Sequence, residues 1–279
     1  MYNKLLLVIG FLLLVNINTK AQISNSINLI RDSLNSYGEI ILDYNTTDHE
    51  KKEANVKLTN TLLRVLNNQE KVTTVFDSLK TIAVLEPSDK SFVLYNWEMP
   101  LNDGTFNYYA YILYQNPISK KTQVIELNNA SNNLKSPERA FLSSSKWLGT
   151  HYYKLITVRS KRKNYYCMLG IDWNNQISTK KVIEVMTFDK QGNIKFGAPI
   201  FEFNNSINNR VIFEYNSNVS MYLDYDEKLR MIVFDHLSPI QESLKGQYQF
   251  YAPDLSYDWL KFKKGKWHHI ENIDARNLK

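Results

Sequence analysis

The clearest hydrophobic pattern in the chain lies between Arg210 and Leu237, where apolar and polar residues alternate. An alternation with a period of two is typical of β-strands that bury one face. Polar turns at residues 216–218 and 226–228 are too short to contain a crossover helix, so the stretch predicts three consecutive antiparallel strands. The predicted buried face consists of Val211, Phe213, Tyr215, Met221, Leu223, Tyr225, Leu229, Met231 and Val233, and the predicted solvent face carries Arg210, Glu214, Asp224 and Arg230.

Similar short runs, rich in tyrosine and β-branched residues, follow one another from residue 91 to the end of the chain. The turn Asn102-Asp103-Gly104 between two of them is a strong hairpin signal. About a dozen such strands without intervening helices favour an antiparallel sandwich, barrel or propeller-like stack over a βαβ fold. Because no repeat of fixed period is visible, a propeller is not favoured.

Between residue 23 and about residue 80 the apolar period is helical instead, which predicts three helices. Asp48 and Asn68 are candidate N-caps of the second and third helices, and Gly38 lies near the predicted end of the first. The predicted apolar stripes are Ile23, Ile27, Ile30 and Leu34, then Val56, Thr59, Leu63 and Leu66, then Val72, Val75, Phe76 and Leu79.

These patterns predict a mainly β protein that is α+β overall, with a helical segment at 22–80 and an antiparallel β domain at 81–279. The helical segment is interpreted either as a small cap or as an arm that docks a partner. Deleting the arm would then leave a folded chain that no longer assembles.

The first residues predict a signal peptide, residues 1–21. Lys4 precedes an apolar run at 5–15 that is too short to span a bilayer, and Ala21 provides a small residue for cleavage. The alternative is a retained anchor, although no cysteine for a lipid anchor follows the run. We therefore expect a periplasmic or secreted protein with no transmembrane span after cleavage.

Charge and cysteine content change this picture little. The net charge is +6, and loss of Lys4 and Lys20 with the leader lowers it to +4, which requires no nucleic-acid or membrane partner. Cys167 is the only cysteine, so no intrachain disulfide can form. Its position in an apolar strand favours a small buried side chain over a reactive thiol.

A basic run, residues 159–163, joins two predicted strands. Its four cations could bind an acidic sugar, a lipid headgroup or a phosphate. The alternative is a solvated turn whose charges prevent strands from pairing at the edge of the sheet.

The chain contains no motif of a known catalytic loop or metal site, including GxSxG, the P-loop, HExxH, CxxC and the EF-hand. His268 and His269 are adjacent on a predicted strand, so their side chains point to opposite faces and cannot bind one ion together. His151 and His236 are isolated in sequence. We expect no metal and no cofactor.

Four residues remain as catalytic candidates. Asp235 and His236 end the third strand of the 210–237 stretch, where strands meet loops and sites are often built. The alternative to a catalytic role is a structural one, in which Asp235 accepts backbone hydrogen bonds in the following turn. Asp254 and Asp258 form a second carboxylate pair that could bind calcium or act as acid and base, or could each be a turn residue.

Tryptophans are candidate ligand-binding residues, because aromatic faces bind the apolar faces of sugar rings. Packing within the sheets is the alternative for each of them. The candidates, all near predicted turns or strand ends, are Trp97, Trp147, Trp173 and Trp259.

The chain resembles exported proteins of Bacteroidetes-type bacteria that have no assigned activity. The resemblance is carried by WEMPLNDGTFNYYAYI, KVIEVMTFDKQGNIKFGAPIF, the 210–237 stretch and FYAPDLSYDWLKFKKGKW. It implies the compartment and the β architecture and identifies no catalytic residue.

We therefore expect a binding or structural module of the cell envelope with a glycan or protein partner and no nucleic acid. The alternative is a hydrolase that acts on glycans or other envelope polymers through carboxylates in the β scaffold. A cleft that collects Asp235, His236, Asp254 and Asp258 with raised carboxylate pKa values would favour the enzyme. A shallow aromatic surface would favour the binding module.

Overall fold

The computed structural model describes residues 26–68, 79–116 and 118–273. The chain divides into two compact units, residues 1–82 and residues 83–279. The predicted fold class is confirmed, because helices come first and antiparallel sheets follow. No helix within the described ranges is long and apolar enough to cross a membrane.

The first unit contains helix α1, residues 26–42, and helix α2, Asp48–Asn67. The N-cap of α2 is Thr47 rather than the predicted Asp48, because Thr47 and Glu50 form a reciprocal capping box. Asn68 is the C-cap of α2. The third predicted helix lies largely in residues 69–78, outside the described residues.

The buried stripe of α1 is close to the prediction, with Leu34 and Ile41 in the core. The predicted stripe of α2 is confirmed at Leu66, which is buried, and wrong at Val56, which is 57% exposed. Apolar residues occur on more than one side of α2, so periodicity alone did not identify the buried side. The residues of α2 that are buried are Lys51, Ala54, Asn55, Leu58, Leu62, Val65 and Leu66.

The second unit consists of strands joined by short turns. Within the described part of the chain the strands are β1 (Ala83–Leu85), β2 (Phe92–Pro100), β3 (Phe106–Gln115), β4 (Thr122–Leu127), β5 (Leu142–Ser143), β6 (His151–Ser160), β7 (Lys163–Asp172), β8 (Ser178–Phe188), β9 (Ile194–Phe196), β10 (Phe201–Phe203), β11 (Ser206–Asn208), β12 (Val211–Asn216), β13 (Leu223–Asp226), β14 (Met231–Pro239), β15 (Tyr251–Lys263) and β16 (Lys266–Ile273).

Three sheets result. The first has the order β1-β2-β3-β4, the second β5-β9-β8-β7-β6 with β12 also paired to β8, and the third β11-β10-β16-β15-β14-β13. All pairs are antiparallel except β10 with β16, which is parallel. The hairpin at Asn102-Asp103-Gly104 is confirmed, since β2 and β3 pair across it.

The second sheet contributes to two hydrophobic cores. Met168 and Val182 belong to a cluster that includes residues of the first sheet, whereas Cys167, Leu169 and Ile183 belong to a cluster that includes residues of the third. Successive side chains of a strand point to opposite faces of the sheet. β7 and β8 therefore carry apolar residues on both of their faces. Cys167 is fully buried, and burial raises the pKa of its thiol.

The prediction of three consecutively paired strands is wrong for the first of them. β12 pairs with the first half of β8, whereas β9 pairs with its second half. Only β13 and β14 form a hairpin. The connection at residues 217–222 is long enough for the chain to pass from the second sheet to the third. β9 leaves the first half of β8 unpaired on one edge, and β12 pairs there.

The predicted buried face of β14 is also wrong. Ile232 and Phe234 are buried, whereas Leu229 is 37% exposed. The turn consists of residues 227–230 and is one residue longer than the predicted turn at 226–228, and Arg230 at its end has a φ of 55°. Because side chains alternate with a period of two, a shift of one residue exchanges the faces of the whole strand.

Arg210, predicted to face solvent, is fully buried. Its Nε donates to Oε2 of Glu184 at 2.9 Å, and its Nη1 donates to the carbonyl oxygens of Pro137 and Ala140. Burial raises the pKa of Glu184, and the charge and hydrogen bond of Arg210 oppose that rise. The pair joins β12, β8 and the loop before β5 inside the protein.

Candidate functional site

The candidate site is built on the middle strands of the third sheet, where β15 is irregular on both sides. The β14–β15 register shifts after Asp235, and the β15–β16 register shifts around Asp258. Residues 254–256 are the additional residues on β15, and Leu255 at their centre has a φ of 72°. Such bulges commonly redirect side chains beside functional sites.

The regular pairs place three polar side chains on one face. Phe234 lies opposite Asp258, and Leu260 lies opposite His269. His236 follows Phe234 by two residues and Leu260 follows Asp258 by two, so all of these residues share a face. His236 and His269 are therefore diagonal neighbours of Asp258 on its two sides.

Both histidines bind the same carboxylate oxygen. Nδ1 of His236 lies 2.8 Å from Oδ2 of Asp258, and Nε2 of His269 lies 3.1 Å from that oxygen. The side chains of Asp258 and His269 are 4% and 8% exposed, whereas that of His236 is 32% exposed. His236 therefore connects a buried carboxylate with solvent. We refer to these three residues as the His-Asp-His cluster.

The hydrogen bond to Asp258 determines the tautomer of neutral His236. Since Asp258 accepts, Nδ1 of His236 carries the proton and Nε2 presents a lone pair. Burial disfavours the charged imidazolium, but the hydrogen bond and charge of Asp258 outweigh it and raise the pKa of His236. His236 is thus a proton acceptor with a fixed orientation.

His269 packs against aromatic rings. Its ring centroid is 4.3 Å from that of Phe203 and 5.9 Å from that of Phe234. Phe234 in turn packs on Phe213 of β12, with centroids 4.7 Å apart. This apolar wall lowers the local dielectric and strengthens the interactions of Asp258.

A cavity of about 260 Å³ opens beside the cluster. Tyr248 and Tyr251, whose ring centroids are 5.2 Å apart, line part of it. The acidic residues and histidines of this lining, among the described residues, are Glu138, Glu214, Asp235, His236, Asp258 and His269. Lysine and arginine do not occur in this described lining, so the cavity is unsuited to an anionic group.

A second cavity, of about 570 Å³, adjoins the first and shares Asn204 and His269 with it. Asn204 and Asn205 form the turn between β10 and β11, and both have a positive φ. Asparagine tolerates this conformation better than most residues. The two cavities together extend the candidate site beyond the cluster.

Asp235 also lines the first cavity. The prediction that it accepts backbone hydrogen bonds in the following turn is wrong. Its Oδ2 accepts the backbone N–H of Tyr222 at 2.7 Å, in the segment before β13 rather than in the following turn. Burial, followed by the negative charge of Asp254, raises the pKa of Asp235. The hydrogen bond from Tyr222 opposes this rise in pKa.

Asp254 does not pair with Asp258. It lies in the exposed bulge, where its carboxylate accepts hydrogen bonds from Ser238 and Ser256. Burial opposes these bonds, but they outweigh it and lower the pKa of Asp254. Among the described residues, no three His, Cys, Asp or Glu side chains are arranged to hold a metal ion.

The tryptophan candidates do not form an open aromatic surface. Trp97, Trp147 and Trp259 are buried, and only Trp173 among the four is substantially exposed, at 40%. Trp97 stacks between the rings of Tyr109 and Tyr111. Their large apolar rings gain more from burial in the cores than from exposure at strand ends.

The other histidines described on β-strands have separate partners. His268 pairs with Glu202, with Nδ1 and Oε2 2.6 Å apart, while the adjacent His269 binds Asp258. This agrees with the prediction that the two side chains diverge. His151 pairs with Glu98 at a half-buried position outside both cavities.

Asp235, His236 and Asp258 were predicted from the sequence, but their companion His269 was not. The alternation within β16 shows only that His268 and His269 diverge. Which of them meets Asp258 depends on the β15–β16 register, which is regular from the two-residue turn Lys264-Gly265 as far as the pair Trp259 and Ile270. That turn is visible in the sequence, and a two-residue hairpin turn sets the register of its strands, so it is the signal that could have placed His269 beside Asp258.

Comparison with known proteins gave no matching family model, no similar curated protein and no similar solved structure.

Proposed function

We propose that the protein is an exported hydrolase of glycans or other envelope polymers, in which His236 moves the proton. The single observation that carries this proposal is the 2.8 Å hydrogen bond from His236 to the buried Asp258 at the edge of a cavity. The predicted leader, residues 1–21, supports export to the periplasm or the medium. The resemblance to exported proteins points the same way.

In the proposed reaction, Nε2 of His236 accepts a proton from water. The water oxygen forms a bond to the electrophilic carbon of the substrate, and the bond from that carbon to the leaving oxygen breaks. The leaving oxygen takes a proton from Asp235 or from the imidazolium of His236. Asp258 orients the imidazole and stabilises its positive charge.

The cavity supports a neutral, hydroxyl-rich substrate. Tyr248 and Tyr251 offer ring faces to the apolar sides of sugars. Glu138, Glu214 and Asp235 can accept hydrogen bonds from hydroxyl groups. The same carboxylates repel phosphate, sulfate or uronate groups at this position.

The test compares His236→Gln and Asp258→Asn with the matched control His151→Gln. The probes are p-nitrophenyl acetate, a panel of p-nitrophenyl glycosides, and acetylated and unmodified polysaccharides. We expect the wild type to hydrolyse at least one probe. His236→Gln removes the base and should lower kcat/KM for that probe about a hundredfold or more. His151→Gln should retain activity.

The pH profile separates a positioning role of Asp258 from a purely structural one. The base must be neutral to accept a proton, so activity should rise with pH through the pKa of His236. Because Asp258 raises that pKa, the acidic limb of residual activity in Asp258→Asn should move to lower pH. A folded His236→Gln protein with wild-type activity would overturn the proposal.

A binding module of the cell envelope is the second candidate. It is favoured by Tyr248, which is 53% exposed next to Tyr251 in the cavity. Under this alternative, Tyr248→Ala weakens glycan binding, and no probe is hydrolysed by the wild type. Calorimetric titration with the same polysaccharides distinguishes the two functions.

A further inference from the structure

Two hairpin turns, from different sheets, lie against each other in the second unit. One joins β6 to β7 through Lys161 and Arg162, and the other joins β15 to β16 through Lys264 and Gly265. A Cβ atom added at Gly265 would lie 2.5 Å from Oγ of Ser160, so the second turn approaches the first closely. Gly265 has a φ of 86°, which favours glycine at this position for a second reason.

The contact brings basic residues from distant parts of the chain to one cavity of about 450 Å³, which we call the lysine cleft. Its charged lining in the described structure consists of Lys161, Lys163, Lys195, Lys264 and Lys266. No aspartate or glutamate belongs to this described lining. The predicted basic run at 159–163 thus supplies two of five converging lysines.

Only part of this positive charge is neutralised by the protein. Lys266 pairs with Glu202 at 2.5 Å and Lys195 with Asp189 at 3.7 Å. For the other three lysines, no carboxylate of the described residues lies within 4.0 Å. Lys163 instead lies over the ring of Tyr165, with Nζ 5.3 Å from the centroid.

The turns bring the backbones of these residues close together. Lys161 and Arg162 have φ values of 46° and 65°, and Lys264 has a φ of 51°, as in two-residue hairpin turns that match the twist of the strands. Like charges held together repel one another. An anion that spans the cleft would relieve this repulsion.

The remaining lining residues indicate what kind of anion fits. Phe141, which is 71% exposed, lies in the cleft with Pro199 and Tyr165. Apolar and aromatic faces between cations suit the rings of a sugar chain whose acidic groups contact the lysines. Five lysines around 450 Å³ also exceed what a single small ion would contact.

We propose that the lysine cleft binds an acidic polysaccharide, carrying sulfate or carboxylate groups, at a site distinct from the His-Asp-His cluster. The proposal does not depend on hydrolysis. It assigns to the 159–163 turn a binding role in place of the solvated-turn interpretation.

The experiment measures binding of the purified protein to heparin, polygalacturonate and neutral dextran by calorimetry at two salt concentrations. Lys161→Asn combined with Lys264→Asn removes two charges, and asparagine accepts the positive φ of both positions. Lys90→Asn combined with Lys120→Asn is the matched control, since these exposed lysines also have positive φ values, 53° and 58°. Lys163→Gln serves as a second cleft variant that leaves the turn residues intact.

We expect salt-sensitive binding to heparin or polygalacturonate and none to dextran. The cleft double variant should bind roughly tenfold more weakly, whereas the control should change little. Equal loss in both double variants would overturn the proposal, because it would indicate attraction by net charge alone. Binding of phosphatidylglycerol vesicles or single-stranded DNA more tightly than either acidic glycan would also overturn it.

Discussion

Two buried carboxylates in the second unit have different surroundings, although each has a positively charged or chargeable partner. Glu184 is paired with Arg210 where both side chains are fully buried. Asp258 is bound by His236 and His269 at the wall of a cavity, and His236 is 32% exposed. Arginine keeps its charge at any ordinary pH, whereas histidine gains or loses a proton near neutrality.

The difference separates a permanently charged ion pair from a titratable one. The Arg210 pair can only hold the strands and loop that it connects. His236 can gain or lose a proton and lines the cavity. Burial of an acidic residue therefore does not identify function by itself; the partner and its access to solvent do.

Replacement of Arg210 by leucine should have the largest effect on stability. It leaves Glu184 buried without its cation, which costs about 3–5 kcal/mol in the free energy of unfolding. Adding Glu184→Leu to the same chain should recover part of this loss, because the carbonyl oxygens of Pro137 and Ala140 still lack their donor. Urea unfolding of both variants measures the difference, and a loss below about 1 kcal/mol for Arg210→Leu would contradict a structural role.

Asp258→Asn should have an intermediate effect, a loss of about 1–3 kcal/mol, because the two histidines lose their charged acceptor inside the protein. The exposed Asp254→Asn is the control and should cost less than about 0.5 kcal/mol. Thermal unfolding of the two variants checks this. Equal losses would mean that the buried cluster contributes no more than a surface turn.

The stability of the protein should depend on pH through His236. Its pKa is raised in the folded state, so its contribution is fully present below the ordinary histidine pKa of 6.5 and is lost as pH rises through the folded value. His236→Gln should therefore destabilise the protein more at about pH 5.5 than at about pH 8.5. Unfolding free energies of the variant and the wild type at both pH values test this. If burial of His236 outweighed its interaction with Asp258, the variant would instead lose more stability at about pH 8.5.

A smaller effect than that of Asp258→Asn is expected for His151→Gln. The side chains of His151 and Glu98 are only 20% and 19% exposed, but glutamine can still donate a hydrogen bond to Glu98, so we expect a loss of about 1 kcal/mol or less. A loss as large as that of Asp258→Asn would show that histidine–carboxylate pairs in this protein are equivalent wherever they lie. The same variant is the activity control.

Much of the fold could be predicted because strand alternation, hairpin turns and helical periods are local. The turns at Asn102-Asp103-Gly104 and in the basic run appear where the sequence placed them. The errors arose where one residue changed a register, as at Arg230, or where a strand joined a distant partner, as β12 joined β8. Arg210 was predicted to be exposed because its buried partners come from residues 137–140 and 184.

Three of the four site residues were predicted from the sequence. Asp235 and His236 were chosen because they were predicted to end a strand, which is wrong, since β14 continues to Pro239. Asp258 was chosen because it follows a turn-rich segment. The separation of Asp254 from Asp258 depended on the bulge in β15, and the burial of three candidate tryptophans depended on tertiary packing. His269 lies on the adjacent strand β16, across the last hairpin turn from Asp258.

The sequence by itself therefore determined the element types, their order and the chemistry available to them, since these depend on neighbouring residues. Only the tertiary structure decided which polar side chains meet. Asp258 binds two histidines because β14 and β16 pair with β15 on its two sides and bring His236 and His269 to the face that carries Asp258. The lysine cleft exists because turns about a hundred residues apart come into contact, and long-range pairing leaves no periodic signal in the chain.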